Sequence, residues 1–153
     1  MRQILRRREL QADEWRYPGE AGAGPLALTL AELPAAAGAV LGAYLRPTDA
    51  VEELAPYLVR LRLIVVHFEK TGDGRGFSQA QLLRQRLGYT GELRAAGAIR
   101  RDHLYLLARC GFDAFDLDPA EDRRAALGHF DRFSVAYQEA SGTLVQPRLR
   151  VPA

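Results

Sequence analysis

The segment that most constrains the fold is residues 63–115, where strand-like and helix-like patterns alternate. Residues 63–68 read LIVVHF, a continuous apolar run of the kind that a strand covered on both faces needs. A glycine-rich stretch and a helical pattern follow, and the strand-helix alternation then repeats. This alternation predicts a parallel sheet with right-handed crossovers. A doubly wound sheet and a half-barrel of successive βα units both fit it.

The same alternation extends over most of the chain and predicts a single α/β domain. Residues 1–25 are expected to form an extended segment with a hairpin and a loop, residues 26–137 the βα core, and residues 138–153 a tail. Strands are predicted at residues 26–30, 40–45, 63–68, 92–96, 112–117 and 133–137. Helices are predicted over residues 32–37, from residue 50, from an N-cap at Ser78, over residues 100–110, and from Pro119 to residue 130.

Composition indicates an ordinary globular protein, with 48% hydrophobic and 26% charged residues. No apolar run approaches the roughly 20 residues that span a bilayer, so no membrane partner is predicted. Cys110 is the only cysteine, which excludes an internal disulfide and fits a reducing compartment. A cytoplasmic location is therefore expected. The net charge of +2 and a single dense basic run, residues 6–8, do not predict a nucleic-acid partner.

The glycine-rich stretch after residues 63–68 is the candidate binding site. Ligands of parallel α/β sheets bind beyond the carboxyl ends of the strands. Backbone N–H groups of a glycine-rich turn and of a helix start cradle anions, and Arg75 would add a bidentate contact to a phosphate or a sulfur oxyanion. The candidate anion-binding residues are Asp73, Gly74, Arg75, Gly76, Ser78, Arg94 and Asp102.

The same residues also have a purely structural interpretation. In it, Asp73 forms a turn, Ser78 caps a helix, and Arg94 pairs with Asp102 or Glu92. In the functional interpretation, Asp73 or Asp102 pairs with Arg94 or acts as a general base. No catalytic residue is assigned by the sequence, and whether the chain is an enzyme stays open.

No cofactor and no metal are predicted. One thiol falls short of the four that an iron–sulfur cluster usually needs. The spacing of Gly72, Gly74 and Gly76 is neither the GxGxxG dinucleotide fingerprint nor the start of a GK[ST] phosphate loop. His67 is expected to be a hydrogen-bonded core residue, and Cys110 a buried apolar one.

Many residues in order along the chain resemble one family. The matching positions are 1–4, 13–15, 73–78, 80, 82–84, 88–89, 91–95, 97, 101–102 and 109–115. Together they resemble the bacterial family catalogued as domain of unknown function 934. The chain departs from the family pattern at His67, Glu69, residues 71–72, Ala98 and His103.

The resemblance implies a pathway more than a mechanism. Genes of this family typically lie beside those for assimilatory sulfite reductase and adenylyl-sulfate reductases, and some members are labelled probable oxidoreductases of sulfite reduction. Joined to the lack of a redox cofactor motif in this chain, the resemblance favours an accessory factor that binds a sulfite or adenylyl-sulfate reductase. The alternative is a small enzyme or sensor that binds a sulfur oxyanion or adenylyl sulfate at residues 73–78. A homodimer module is a third interpretation.

Overall fold

The computed structural model describes residues 2–38 and 40–128 of the 153-residue chain. The strands are β1 (Gln3–Arg6), β2 (Glu9–Ala12), β3 (Ala27–Thr29), β4 (Leu41–Leu45), β5 (Leu61–Phe68), β6 (Glu92–Gly97) and β7 (Ala114–Phe115). They form one sheet in the order β2-β1-β7-β6-β5-β4-β3. β3 to β7 are parallel and follow chain order, whereas β1 is antiparallel to both β2 and β7. The predicted α/β domain with a mostly parallel sheet is confirmed, as is the N-terminal hairpin.

The connections between parallel strands are helical. Two are 3₁₀ segments, Leu33–Ala35 and Val51–Arg60, and each contains a proline, which lacks the N–H that continues an α-helix. Helix α1 (Gly74–Gln81) continues into a π-helical segment, Leu82–Arg86. A 3₁₀ turn, Arg101–His103, precedes helix α2 (Leu104–Arg109), and residues 123–128 are helical. No helix in this part of the chain is long and apolar enough to cross a membrane.

The predicted start of the helix after β5 is wrong. Asp73, not Ser78, is the N-cap, and Gly74, Arg75 and Gly76 form the first turn of α1. The glycines therefore do not form an open loop. A Cβ at Gly76 would lie 2.4 Å from the Phe68 ring, so glycine is needed there for close packing of the helix against β5.

Two further boundaries differ from the predictions. Pro119 does not open the next helix: Asp122 accepts hydrogen bonds from the N–H groups of Arg124 and Ala125, and the helical residues begin at 123. β7 is two residues long instead of the six expected. The strand predicted at residues 133–137 and the tail at 138–153 lie outside the described residues.

All of these helical connections pack against one face of the sheet. The main core joins alternate strand residues, such as Ile64 and Val66 of β5, to apolar residues of the connections, such as Leu54, Leu83 and Leu104. Each of these five side chains is completely buried. One face of the sheet is thereby closed by apolar packing.

The opposite face is covered by the N-terminal chain. There Leu63, Val65 and Tyr17 form a second, smaller core with Trp15 packed against it. The Trp15 ring lies directly on β4, where a Cβ at Gly42 would approach it to 2.4 Å. The extended N-terminal segment therefore covers the face of the sheet that the helices leave open.

Candidate functional site

A groove opens at the carboxyl edge of the sheet, where β4 and β5 end. It has a volume of about 580 Å³. One wall is the segment after β4, and the other is the start of α1 and its first two turns. The lining residues are Pro47, Asp49, Ala50, Val51, Glu52, Asp73, Gly74, Arg75, Ser78, Gln79 and Leu82. This is the edge of a parallel sheet at which α/β proteins hold ligands.

Four of the residues predicted from the sequence line this groove: Asp73, Gly74, Arg75 and Ser78. Gly76 does not line it, because the position faces the Phe68 ring on the sheet side of α1. The sequence therefore predicted the location of the groove but assigned the glycines the wrong conformation.

Asp73 and Arg75 form a closed pair at the start of α1. Asp73 Oδ1 accepts from the Arg75 backbone N–H at 3.0 Å and from Arg75 Nε at 3.1 Å, and Asp73 Oδ2 accepts from Nη2 at 2.8 Å. These hydrogen bonds lower the pKa of the Asp73 carboxyl and raise the pKa of Arg75. The Arg75 side chain is 54% exposed, so it reaches the groove, but its charge is already balanced by Asp73.

Gln79 ties the two walls of the groove together. Its Nε2 donates to the backbone carbonyls of Arg46 at 2.8 Å and Asp49 at 3.2 Å, which fixes the chain after β4 against α1. Gln79 is 4% exposed, and its Oε1 is buried with no hydrogen-bond partner among the described residues. Both amide hydrogens of Gln79 go to backbone carbonyls, so Oε1 is the atom left without a partner. A buried acceptor without a donor costs free energy until a ligand or a water supplies one.

Arg94 lies elsewhere, on the face that the N-terminal segment covers. Its partners are Glu92 and Asp13, not Asp73 or Asp102: Nη2 donates to Glu92 at 2.8 Å and Nη1 to Asp13 at 2.9 Å. Burial opposes the Arg94 charge, but these carboxylates and Tyr17 outweigh it and raise the Arg94 pKa. The pairing with Glu92 follows the structural interpretation, and the pairings proposed with Asp73 or Asp102 are wrong.

Asp102 is separated from both places. It sits in the 3₁₀ turn that follows β6, and its side chain is exposed. It does not line the groove. The seven predicted residues are therefore distributed over a groove, a packed helix face, a buried ion cluster and an exposed turn.

The ion cluster around Arg94 continues toward the carboxyl edge through Arg2 and Tyr17. The Arg2 guanidinium lies 3.8 Å from the centre of the Tyr17 ring and contacts Asp116 at 3.2 Å. Tyr17 Oη donates to Asp116 at 2.9 Å. Burial raises the pKa of both Tyr17 and Asp116. This arrangement fastens the N-terminal segment to β7.

A histidine and a tyrosine face the same layer. Tyr44 Oη lies 2.8 Å from His67 Nδ1, and burial, together with nearby carboxylates, raises the pKa of Tyr44 to about 12. His67 is therefore hydrogen-bonded, as the sequence predicted, but it is half-buried rather than a core residue.

The end of β6 requires a glycine. Gly97 has φ +96°, and a Cβ there would lie 2.4 Å from the Phe68 carbonyl oxygen at the end of β5.

Cys110 is half-buried, and burial raises the pKa of its thiol. Within residues 2–38 and 40–128, no three His, Cys, Asp or Glu side chains come together as metal ligands.

Sequence reasoning missed three polar contributors to the groove: Asp49, Glu52 and Gln79. Asp49 and Glu52 follow β4, and the register of β4 beside β5 brings them to the same edge. The pairing of consecutive parallel strands was the available signal, because it implies that successive carboxyl-end segments are neighbours. Gln79 gave no signal, since a glutamine in a helix is usually exposed.

A family model described as "Bacterial protein of unknown function (DUF934)" matches residues 42–147. The match covers most of the 153 residues and includes both walls of the groove. Neither the comparison with curated proteins nor the comparison with solved structures finds a match.

Proposed function

Because the chain belongs to the DUF934 family, whose description assigns no activity, we propose its function from the chemistry of its own groove. We propose a binding protein that holds a group of a partner protein between the segment after β4 and helix α1. The observation that carries this proposal is Gln79, a buried residue whose Oε1 has no partner among the described residues although it lines an open groove. Such an atom accepts a hydrogen bond either from a water or from a donor that enters the groove.

The partner we propose is a sulfite or adenylyl-sulfate reductase, which makes the chain an accessory factor of assimilatory sulfate and sulfite reduction. The family resemblance supports the pathway. The single cysteine supports the accessory role, because four thiolates usually hold an iron–sulfur cluster. We propose the cytoplasm as its compartment, since reductive sulfur chemistry and an unpaired thiol both suit a reducing environment.

We further propose that the domain is wound as a half-barrel. A doubly wound sheet reverses its strand order at a switch point. Strands β3 to β7 instead follow chain order, and the connections pack on one face. In this arrangement every βα connection opens at the same edge, which supports a site built from consecutive connections.

The test of the proposed function is co-purification. The tagged chain is expressed in cells grown on sulfate as the sole sulfur source, and the captured proteins are identified by mass spectrometry. The expected result is enrichment of a sulfite or adenylyl-sulfate reductase relative to an untagged control. Absence of both reductases, with the tagged chain well folded and expressed, would refute the accessory role.

A second candidate is an enzyme or sensor that binds an anionic metabolite in the same groove. The half-exposed Arg75 at the N-terminus of an eight-residue helix favours it, because amide N–H groups and a guanidinium attract anions there. Asp73 competes with such an anion for Arg75. Calorimetry with sulfite, sulfate and adenylyl sulfate on the wild type, Arg75→Ala and Asp73→Asn separates these effects. An anion site predicts weaker binding for Arg75→Ala and equal or tighter binding for Asp73→Asn, since asparagine also caps helices.

A further inference from the structure

We infer that the groove receives a basic side chain, an arginine or lysine of the partner protein, with the cation at Glu52 and a donor N–H on Gln79 Oε1. This inference rests on the proposed binding function and adds the chemistry of the contact. It commits the site to a cation, in contrast to the anion of the second candidate.

The charges of the lining favour a cation. The groove is lined by three carboxylates, Asp49, Glu52 and Asp73, and by a single guanidinium, Arg75. Asp73 and Arg75 balance each other through their closed pair. Asp49 accepts from the Arg46 backbone N–H at 2.8 Å, which leaves its negative charge in place, and Glu52 is exposed. The wall after β4 therefore presents net negative charge, which attracts a cation and repels an anion.

The buried acceptor adds a directional requirement. Gln79 Oε1 needs a hydrogen-bond donor, and neither a sulfate nor a carboxylate carries one. Ammonium and guanidinium groups carry three and five N–H donors respectively. A group that satisfies Gln79 and also faces the carboxylates is therefore a basic side chain rather than an acid.

The walls suit the stem of such a side chain. Ala50, which is exposed, and Leu82, which is half-buried, supply apolar surface beside the polar groups. Lysine and arginine bury their methylene stems against apolar surface while the charged head contacts polar groups. The groove thus matches an amphipathic side chain at both its walls and its polar end.

A second depression continues from the groove along the same helix. It has a volume of about 460 Å³ and shares Ser78 and Leu82 with the first. Its other lining residues are Gln81, Gln85 and Arg86. This continuation gives a partner segment a path along α1 and the π-helical segment, so the basic side chain is the anchor of a longer contact.

The experiment uses small probes and the full-length chain. N-acetyl-arginine amide, its uncharged isostere N-acetyl-citrulline amide, and sulfate are titrated separately while ¹⁵N–¹H spectra are recorded. We expect the arginine probe to shift the Gln79 side-chain amide and the α1 amides, and the citrulline probe to bind more weakly. Glu52→Gln should weaken the binding of the arginine probe about threefold, as expected for a partly exposed ion pair.

The matched control is Glu53→Gln. Glu53 is the next residue, is also exposed and lies in the same turn, but it does not line the groove. It should leave binding of the arginine probe unchanged. The inference is overturned if the arginine probe shifts no groove residue, if both substitutions weaken it equally, or if sulfate alone shifts the α1 amides.

Failure of this inference and failure of the proposed function give different results. If a reductase co-purifies but Glu52→Gln leaves its capture unchanged, the basic anchor is wrong while the accessory role stands. If no reductase co-purifies but the arginine probe binds at Glu52, the accessory role is wrong and the chemistry of the groove stands.

Discussion

Removing the buried guanidinium of Arg94 should unfold the chain at much lower denaturant than any substitution of an exposed arginine. Arg94 is completely buried, and it donates to Glu92 at 2.8 and 3.0 Å, to Asp13 at 2.9 Å and to Tyr17 at 3.3 Å. Asp13 is also fully buried at its side chain. Methionine at position 94 would fill a similar volume, but it would leave the acceptor oxygens of Glu92, Asp13 and Tyr17 without this donor.

The expected loss of unfolding free energy is about 3–5 kcal/mol, the range for removing one partner of a buried ion pair. Arg2 moderates the loss, because it also contacts Asp13 at 3.0 Å. In urea the midpoint should fall by about 2 M, given a slope of about 1–3 kcal/mol per molar for a domain of this size. The fluorescence of Trp15 reports the transition, since it is the only tryptophan and packs on β4.

The matched control is Arg62→Met. Arg62 lies on the neighbouring strand β5 but is exposed, so its loss should change the free energy of unfolding by less than about 0.5 kcal/mol. A double-mutant cycle of Arg94→Met with Asp13→Asn should show coupling, because the two side chains share a hydrogen bond. Equal losses for Arg94→Met and Arg62→Met would refute the view that this cluster holds the N-terminal segment to the sheet.

Four further predictions concern the helix layer. Gly76→Ala should destabilise the chain by about 1–3 kcal/mol, because its Cβ would meet the Phe68 ring at 2.4 Å. Gly74→Ala, which meets no atom within 4 Å, should be neutral or stabilising by up to about 1 kcal/mol in the same urea titration. Arg84→Lys should lower the free energy of unfolding by about 2 kcal/mol, because one ammonium cannot replace a guanidinium that donates to three backbone carbonyls. Burial raises the pKa of the Cys110 thiol, so its alkylation by iodoacetamide should be slower at pH 7.5 than that of free cysteine and should accelerate in urea; equal rates in folded and unfolded chain would contradict this.

The parts of the fold that local pattern decides were predictable from sequence. The apolar run of β5 and its alternation with helical patterns predicted the parallel sheet, because a strand buried on both faces is apolar along most of its length. The location of the groove followed from the same alternation. The start of α1 was not predictable, because closely spaced glycines such as Gly74 and Gly76 are typical of a loop. Only the Phe68 ring packed beside Gly76 explains why a helix has glycine there.

Pairing between residues far apart in the chain was also not predictable from the sequence. Arg94 pairs with Asp13, which is 81 residues away, and this depends on the N-terminal segment crossing the sheet. The composition of the groove has the same origin, because Glu52 and Gln79 line one groove only through the register of β4 beside β5 and the packing of α1. A charged side chain carries no local sign of the partner that tertiary structure brings to it.

Site-specific photo-crosslinking tests most directly whether the groove holds a partner protein. A photoreactive residue replaces Gln85, which lines the continuation of the groove, and in a separate control it replaces Glu9, which lies on exposed β2. In cells grown on sulfate, position 85 should crosslink to a sulfite or adenylyl-sulfate reductase, and position 9 should not. Crosslinks to neither reductase from position 85, or equal crosslinks from both positions, would contradict a binding role for this edge of the sheet.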